Sequence, residues 1–142
     1  MELLKIATKL FLKTPDLRKS DLQFEPTLKG LSQLLPAYAN DFDLQSLVNF
    51  MSNSGFSGQV DSWISKGKNL PLTKIQVVDL LGCDKVYSFA GELRIDPSLA
   101  AEGLSHMIPQ LVDKQSIDGV LYTSPISQNA FLKFIERYMG AA

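Results

Sequence analysis

Apolar side chains recur three and four positions apart through most of this sequence, and each run of them is cut off by a proline or a glycine. That spacing is the period of an α-helix whose apolar stripe must be buried against a neighbour. Proline removes a donor from the helical ladder, and glycine favours the left-handed turn that ends a helix. A chain punctuated in this way folds as short helices packed on one another. Only "DGVLYT" shows a trace of period-two alternation, and it is too short to found a sheet. The expected class is therefore all-α, a compact single domain over residues 1–142 with about eight short helices.

The helices can be placed by their stripes and stop signals. In "MELLKIATKLFLK", Leu3, Leu4, Ile6, Ala7, Leu10 and Phe11 share one side, with Glu2, Lys5, Lys9 and Lys13 on the other. We expect this amphipathic helix to pack on the domain; the alternative is a lysine-faced helix touching a membrane surface or a partner. Lys5 and Lys9 interrupt the apolar stretch a secretory leader needs, and no small-residue cleavage site follows, so the cytoplasm is the default location. "TPDLRKSDLQF" (Thr14 to Phe24) has no clear period and reads as an irregular link. Pro26 suits the first turn of a helix carrying Leu28, Leu31, Leu34 and Leu35, which Pro36 stops. These N-terminal helices occupy residues 1–45.

The central part, residues 46–120, follows the same logic. Asp43 can cap a helix through Leu44, Leu47, Val48 and Met51, ended by the glycines of "SNSGFSG". Val60, Trp63 and Ile64 form a short helix that Gly67 closes. Thr73 can cap the next, through Ile75, Val78 and Leu81, closed by Gly82. Asp84 begins another, with Val86, Phe89, Ala90 and Leu93, and Asp96-Pro97 opens the longest. Ser124-Pro125 opens a last helix over 124–142, with Phe131, Phe134, Ile135 and Tyr138 at helical spacing.

Inside the longest helix, Pro109 leaves the Ser105 carbonyl without its usual donor. A bent but continuous helix keeps Leu99, Ala100, Leu104, Met107, Ile108 and Leu111 on one core. It turns Glu102, His106, Gln110 and Asp113 the other way, so His106 is expected to face solvent. As the only histidine, His106 excludes any site that needs two, and the single cysteine, Cys83, excludes an internal disulfide and multi-cysteine metal sites. Cys83 is either a small buried packer or a reactive thiol. There is no phosphate-binding glycine loop, no dinucleotide fingerprint, no paired-histidine metal motif and no calcium loop. No catalytic, cofactor-binding or metal-ligating residue is expected, and no cofactor. No run of apolar residues is long enough for a membrane span.

"FAGELRIDPSLAAEGL" (Phe89 to Leu104) has the outline of a helix-turn-helix. A DNA-reading pair needs cations to grip phosphate on both sides of the groove. From Asp84 to Asp118 there are three cations, Lys85, Arg94 and Lys114, against six carboxylates, Asp84, Glu92, Asp96, Glu102, Asp113 and Asp118. The expected exposed positions of the second helix, Ser98, Ala101, Glu102 and Ser105, add no positive charge. This face would repel phosphate, so DNA is not the expected partner of the motif.

Several segments occur together in an order that resembles the YidB-like family. They are the Ser62-Trp63 pair, "GKNLPLT" (Gly67 to Thr73), Leu81-Gly82, "ELRIDP" (Glu92 to Pro97) and "IPQLVDK" followed by "DG", all between Ser54 and Gly119. The family's glycine-rich stretch before the tryptophan is Gly55-Phe56-Ser57-Gly58 here, and its turn glycine is Arg94. The resemblance implies a bacterial protein with a compact, homeodomain-like helical core, and it brings no activity and no catalytic residues. Read physically, its residues are structural. Trp63 should be a buried core side chain. Asn69 should bond the backbone of its turn. Gly67 and Gly82 should be left-handed helix caps, and Gly119 a turn residue. Asp96 and Pro97 should start the long helix that contains Pro109. The functional expectation is a non-enzymatic helical module for protein interaction or self-association. The alternative is nucleic-acid binding through Lys5, Lys9, Lys13, Arg18, Lys19 and Lys29, or through the helix-turn-helix-like segment.

Overall fold

A computed structural model of the chain describes residues 2–38, 40–65, 69–117 and 120–121. Among them are eight helices: α1 (Glu2–Leu12), α2 (Pro15–Arg18), α3 (Phe24–Leu34), α4 (Leu44–Asn53), α5 (Ser57–Ile64), α6 (Lys74–Leu81), α7 (Cys83–Leu93) and α8 (Pro97–Lys114). Two minimal antiparallel hairpins join them. β1 (Ala37–Tyr38) pairs with β2 (Asp41–Phe42), and β3 (Ser116–Ile117) pairs with β4 (Val120–Leu121). The protein is all-α. The last helix expected over 124–142 lies outside the described residues, as do Gly67 and Gly119.

The starts of the helices follow local chemistry. The Asp43 carboxylate accepts from the Ser46 amide at 3.1 Å and caps α4. Thr73 and Gln76 form a reciprocal capping box at α6, and Asp96 accepts from the Ser98 amide at 2.8 Å ahead of Pro97. Two ends rest on positive φ. Arg94, with φ 57° and ψ 42°, turns the chain out of α7, while the Ile95 amide reaches back to Ala90. A glycine would take that left-handed conformation without strain, whereas Arg94 carries a Cβ there. Gly82 at φ 99° and ψ 132° is not a left-handed helical cap; it is an extended residue of positive φ between α6 and α7.

α8 is the central element. It packs against α1, α5, α6 and α7. Ala100, Leu104, Met107, Ile108, Leu111 and Val112 are fully buried along it. The helix runs unbroken through Pro109, because one core holds the apolar residues on both sides of the proline. Two expected positions differ. Leu99 is half-buried, and Ala101 is buried where an exposed surface was expected.

The N-terminal helix is part of this core. Leu3, Leu4, Ala7, Leu10 and Phe11 are buried, and α1 packs on both α8 and α3. Its first amides are capped from far along the chain: the Asp41 carboxylate accepts from Leu3 at 3.1 Å and from Leu4 at 2.8 Å. The apolar face is therefore occupied, which removes it as a membrane-contacting surface; only Ile6, expected in the stripe, is partly exposed. The Phe11 ring meets Phe89 edge-on at 5.5 Å. The irregular link holds a short helix after all: Pro15 starts α2, and Leu17 is buried against α8. Cys83, the first residue of α7, is exposed and not a buried packer.

Candidate functional site

A groove of about 410 Å³ runs along one side of α8. Its walls are Thr14 and Pro15 before α2, the segment from Asn69 to Leu72, and the α8 side chains of Glu102, Ser105, His106, Pro109 and Gln110. The helical period places Glu102, His106 and Gln110 above one another, each four residues from the next. All three are half-buried. His106 is therefore not the solvent-facing residue expected. The 69–72 segment and the Thr14-Pro15 corner flank it, a tertiary effect that the helix alone cannot reveal.

The 69–72 wall is fixed by the preceding helix. The fully buried Trp63 donates its indole N–H to the Leu70 carbonyl at 2.7 Å, and the Leu70 amide donates to Ser62 Oγ at 3.0 Å. Adjacent residues of α5 thus hold both backbone groups of one residue. Asn69 is exposed, and Ser62 and Trp63 supply the described hydrogen bonds that order this turn. Leu70 projects outward, about half exposed, at the groove's edge. Ser62 was visible beforehand only as half of a dipeptide in the family resemblance; its partner lies eight residues away, at no helical or strand spacing.

The polar groups of the groove are committed in a definite way. The Gln110 amide nitrogen lies 2.9 Å from His106 Nε2 and 3.3 Å from Nδ1, so the two side chains are paired along α8. Ser105 Oγ donates to the Glu102 carbonyl at 2.7 Å. A hydrogen bond with Asp16 of α2 raises Glu102 above the ordinary glutamate range. Partial burial and the Asp16 charge push the same way, while Lys74 opposes them. Thr14, almost wholly buried on the inner wall, has a hydroxyl with no hydrogen-bond partner among the described residues. No group of three or more metal-ligating side chains is gathered among the described residues.

The helix-turn-helix-like pair, α7 and α8, presents its second helix to this groove and to α6. Lys74 donates to Ser98 Oγ at 3.1 Å, which brings to the start of α8 a cation that the sequence of the motif lacks. A second hollow, of about 460 Å³, lies between α3 and the β1–β2 hairpin. Its acid, Asp41, is engaged by the α1 amides. No described helix is long and apolar enough to cross a membrane.

No curated protein and no solved structure matches the chain. The family model of YidB-like proteins matches residues 37–124, more than half of the chain and wider on both sides than the segment whose motifs carry the resemblance. That span contains both Leu70 and its α5 clamp, the turn at Arg94 and the whole of α8. The chain belongs to the YidB-like family.

Proposed function

We propose that the protein is a non-enzymatic interaction module, and that the groove beside α8 is the face that receives a protein partner. The observation that carries this reading is the clamped, outward-facing Leu70 at the edge of a groove whose walls include Pro15, Pro71 and Pro109. Fixed backbone and proline walls lose little freedom when a partner binds, which favours recognition of an extended segment. The groove's serine and histidine are bonded elsewhere, to the Glu102 carbonyl and to Gln110, and do not form a nucleophile–base pair with each other. The test is affinity capture from the native cell with wild type and Leu70→Ser. The substitution should abolish capture of a defined partner while leaving the circular dichroism unchanged. Equal capture by both proteins would move the interaction off the groove.

A second reading has its own support. Lys5 and Lys9 stand exposed along α1 and Lys13 just past its end, with a rise of about 6 Å between each. Among the described residues none of them forms an ion pair. Such a ladder suits the phosphates of a nucleic acid. Changing all three to glutamine should abolish low-salt binding of a DNA duplex if this reading holds, and leave it unaltered if the lysines only solvate the surface.

A further inference from the structure

We propose that the groove beside α8 is covered by the protein's own C-terminal segment, Tyr122 to Ala142, and that a partner binds there by displacing it. The inference rests on the partner reading above, takes its groove as a docking face and names the segment that competes for it. Pro15, Leu70 and Pro71 are exposed apolar side chains of the groove's walls, and Pro109 adds a third proline ring. Apolar surface of this kind is stabilised by a cover. The last described residue, Leu121, lies close by. It pairs with Ser116, whose hydroxyl donates to the Val112 carbonyl at 2.6 Å, so the β3–β4 hairpin sits on the last turn of α8. β3 also packs on α5, the helix that clamps Leu70. The segment therefore departs from the junction of the two helices that build the groove.

Length and chemistry match the segment to the groove. Phe131, Phe134, Ile135 and Tyr138 recur at helical spacing after Pro125. On a helix this stripe is about 10 Å long and begins about 9 Å beyond Pro125. The α8 side of the groove, from Glu102 to Gln110, is about 12 Å long, and its near edge lies about 6 Å before the end of α8 at Lys114. A segment running back antiparallel to α8 lays its stripe along the groove, with Tyr122, Thr123 and Ser124 as the link. Flat aromatic rings suit proline walls, and the Tyr138 hydroxyl suits the polar edge that Ser105 and Gln110 provide. Charge agrees with this pairing. Among the described lining residues Glu102 is an acid and none is a lysine or arginine, whereas the segment carries Lys133 and Arg137 against Glu136.

The test uses the full chain labelled with nitrogen-15, with Cys83→Ser removing the exposed native thiol and Asn129→Cys carrying a nitroxide. Asn129 falls opposite the apolar stripe on a helical wheel, so the label leaves the docking side chains intact. The amide signals of residues 69–72 and 102–110 should be broadened most. Adding Phe131→Ser and Phe134→Ser should abolish that broadening, in spectra whose α1 to α8 signals stay otherwise native. Broadening centred on other residues, or broadening that survives both serines, would overturn the proposal. A mixture of nitroxide-labelled protein without nitrogen-15 and enriched protein without nitroxide should show none. Broadening of 69–72 and 102–110 in that mixture would make a second copy the occupant and overturn the assignment to the chain's own segment. The partner reading is checked separately by affinity capture. The two serine substitutions should increase capture of the protein that Leu70→Ser loses; unchanged capture would show that the segment does not compete, and the partner face would stand without it. If Leu70→Ser loses nothing, the partner face is wrong, and the nitroxide result still shows where the segment lies.

Discussion

Replacing Gly103 by alanine should destabilise the protein, although alanine is the better helix former. Gly103 sits inside α8 where α1 and α2 cross it. A Cβ built there would lie 2.5 Å from Leu17 Cδ1 and 2.8 Å from Phe11 Cδ2. Neither neighbour has room to withdraw, since Leu17 is 1% exposed and Phe11 is 0% exposed. Overpacking of a tight core costs about 1–3 kcal/mol. The helix-propensity gain from glycine to alanine recovers roughly 1 kcal/mol. With Cβ contacts under 3 Å the overpacking cost falls in the upper half of its range, about 2–3 kcal/mol, so the net loss should be about 1–2 kcal/mol, a fall in Tm of roughly 3–6 °C for a chain of this size. Gly91 is the matched control. It lies on the exposed side of α7, with no atom within 4 Å of an added Cβ. Gly91→Ala should therefore stabilise by about 0.5–1 kcal/mol. Urea denaturation of both variants at one pH measures the difference in sign. If Gly103→Ala is as stabilising as Gly91→Ala, α1 and α2 are not seated on α8, and the core as described is wrong.

Trp63→Ala should cost about 3–5 kcal/mol, because it empties a fully buried site and also releases the Leu70 carbonyl; denaturant unfolding reads it. Arg94→Gly should stabilise by about 1 kcal/mol by removing a side chain from a left-handed turn, seen as a higher denaturation midpoint. Glu102→Gln should stabilise the protein at neutral pH and cease to do so in acid. The sign follows from linkage: Glu102 holds its proton more tightly folded than unfolded, so its ionisation destabilises the fold as pH rises from the ordinary glutamate value through the raised one. Paired melting curves across that interval measure it, and a gap that widens on acidification would contradict the Asp16 contact.

The helices were legible because their evidence is local. The stripe of Leu99 to Leu111, the caps at Asp43, Thr73 and Asp96, and the passage of α8 through Pro109 all follow from spacing within one segment. What escaped depends on residues far apart in the chain. Asp41 caps α1 across 37 residues, Ser62 and Trp63 bind Leu70, and Lys74 reaches Ser98. The β1–β2 hairpin escaped because two residues per strand carry no periodicity. His106 was misplaced for a related reason. A helical wheel divides core from not-core, and it cannot separate open solvent from a groove flanked by other segments. The candidate site was consequently almost invisible in sequence: its α8 residues were identified as a face, without the walls that make the face a site.

The proposed role is tested most directly by a photo-crosslinking residue placed at Leu70 in the native cell, beside the same residue placed at Tyr87. Both positions are exposed, 48% and 58%, but only Leu70 borders the groove. The account predicts a discrete protein adduct from position 70 and none from position 87. Adducts from 87 alone, or a nucleic-acid adduct from 70, would contradict it.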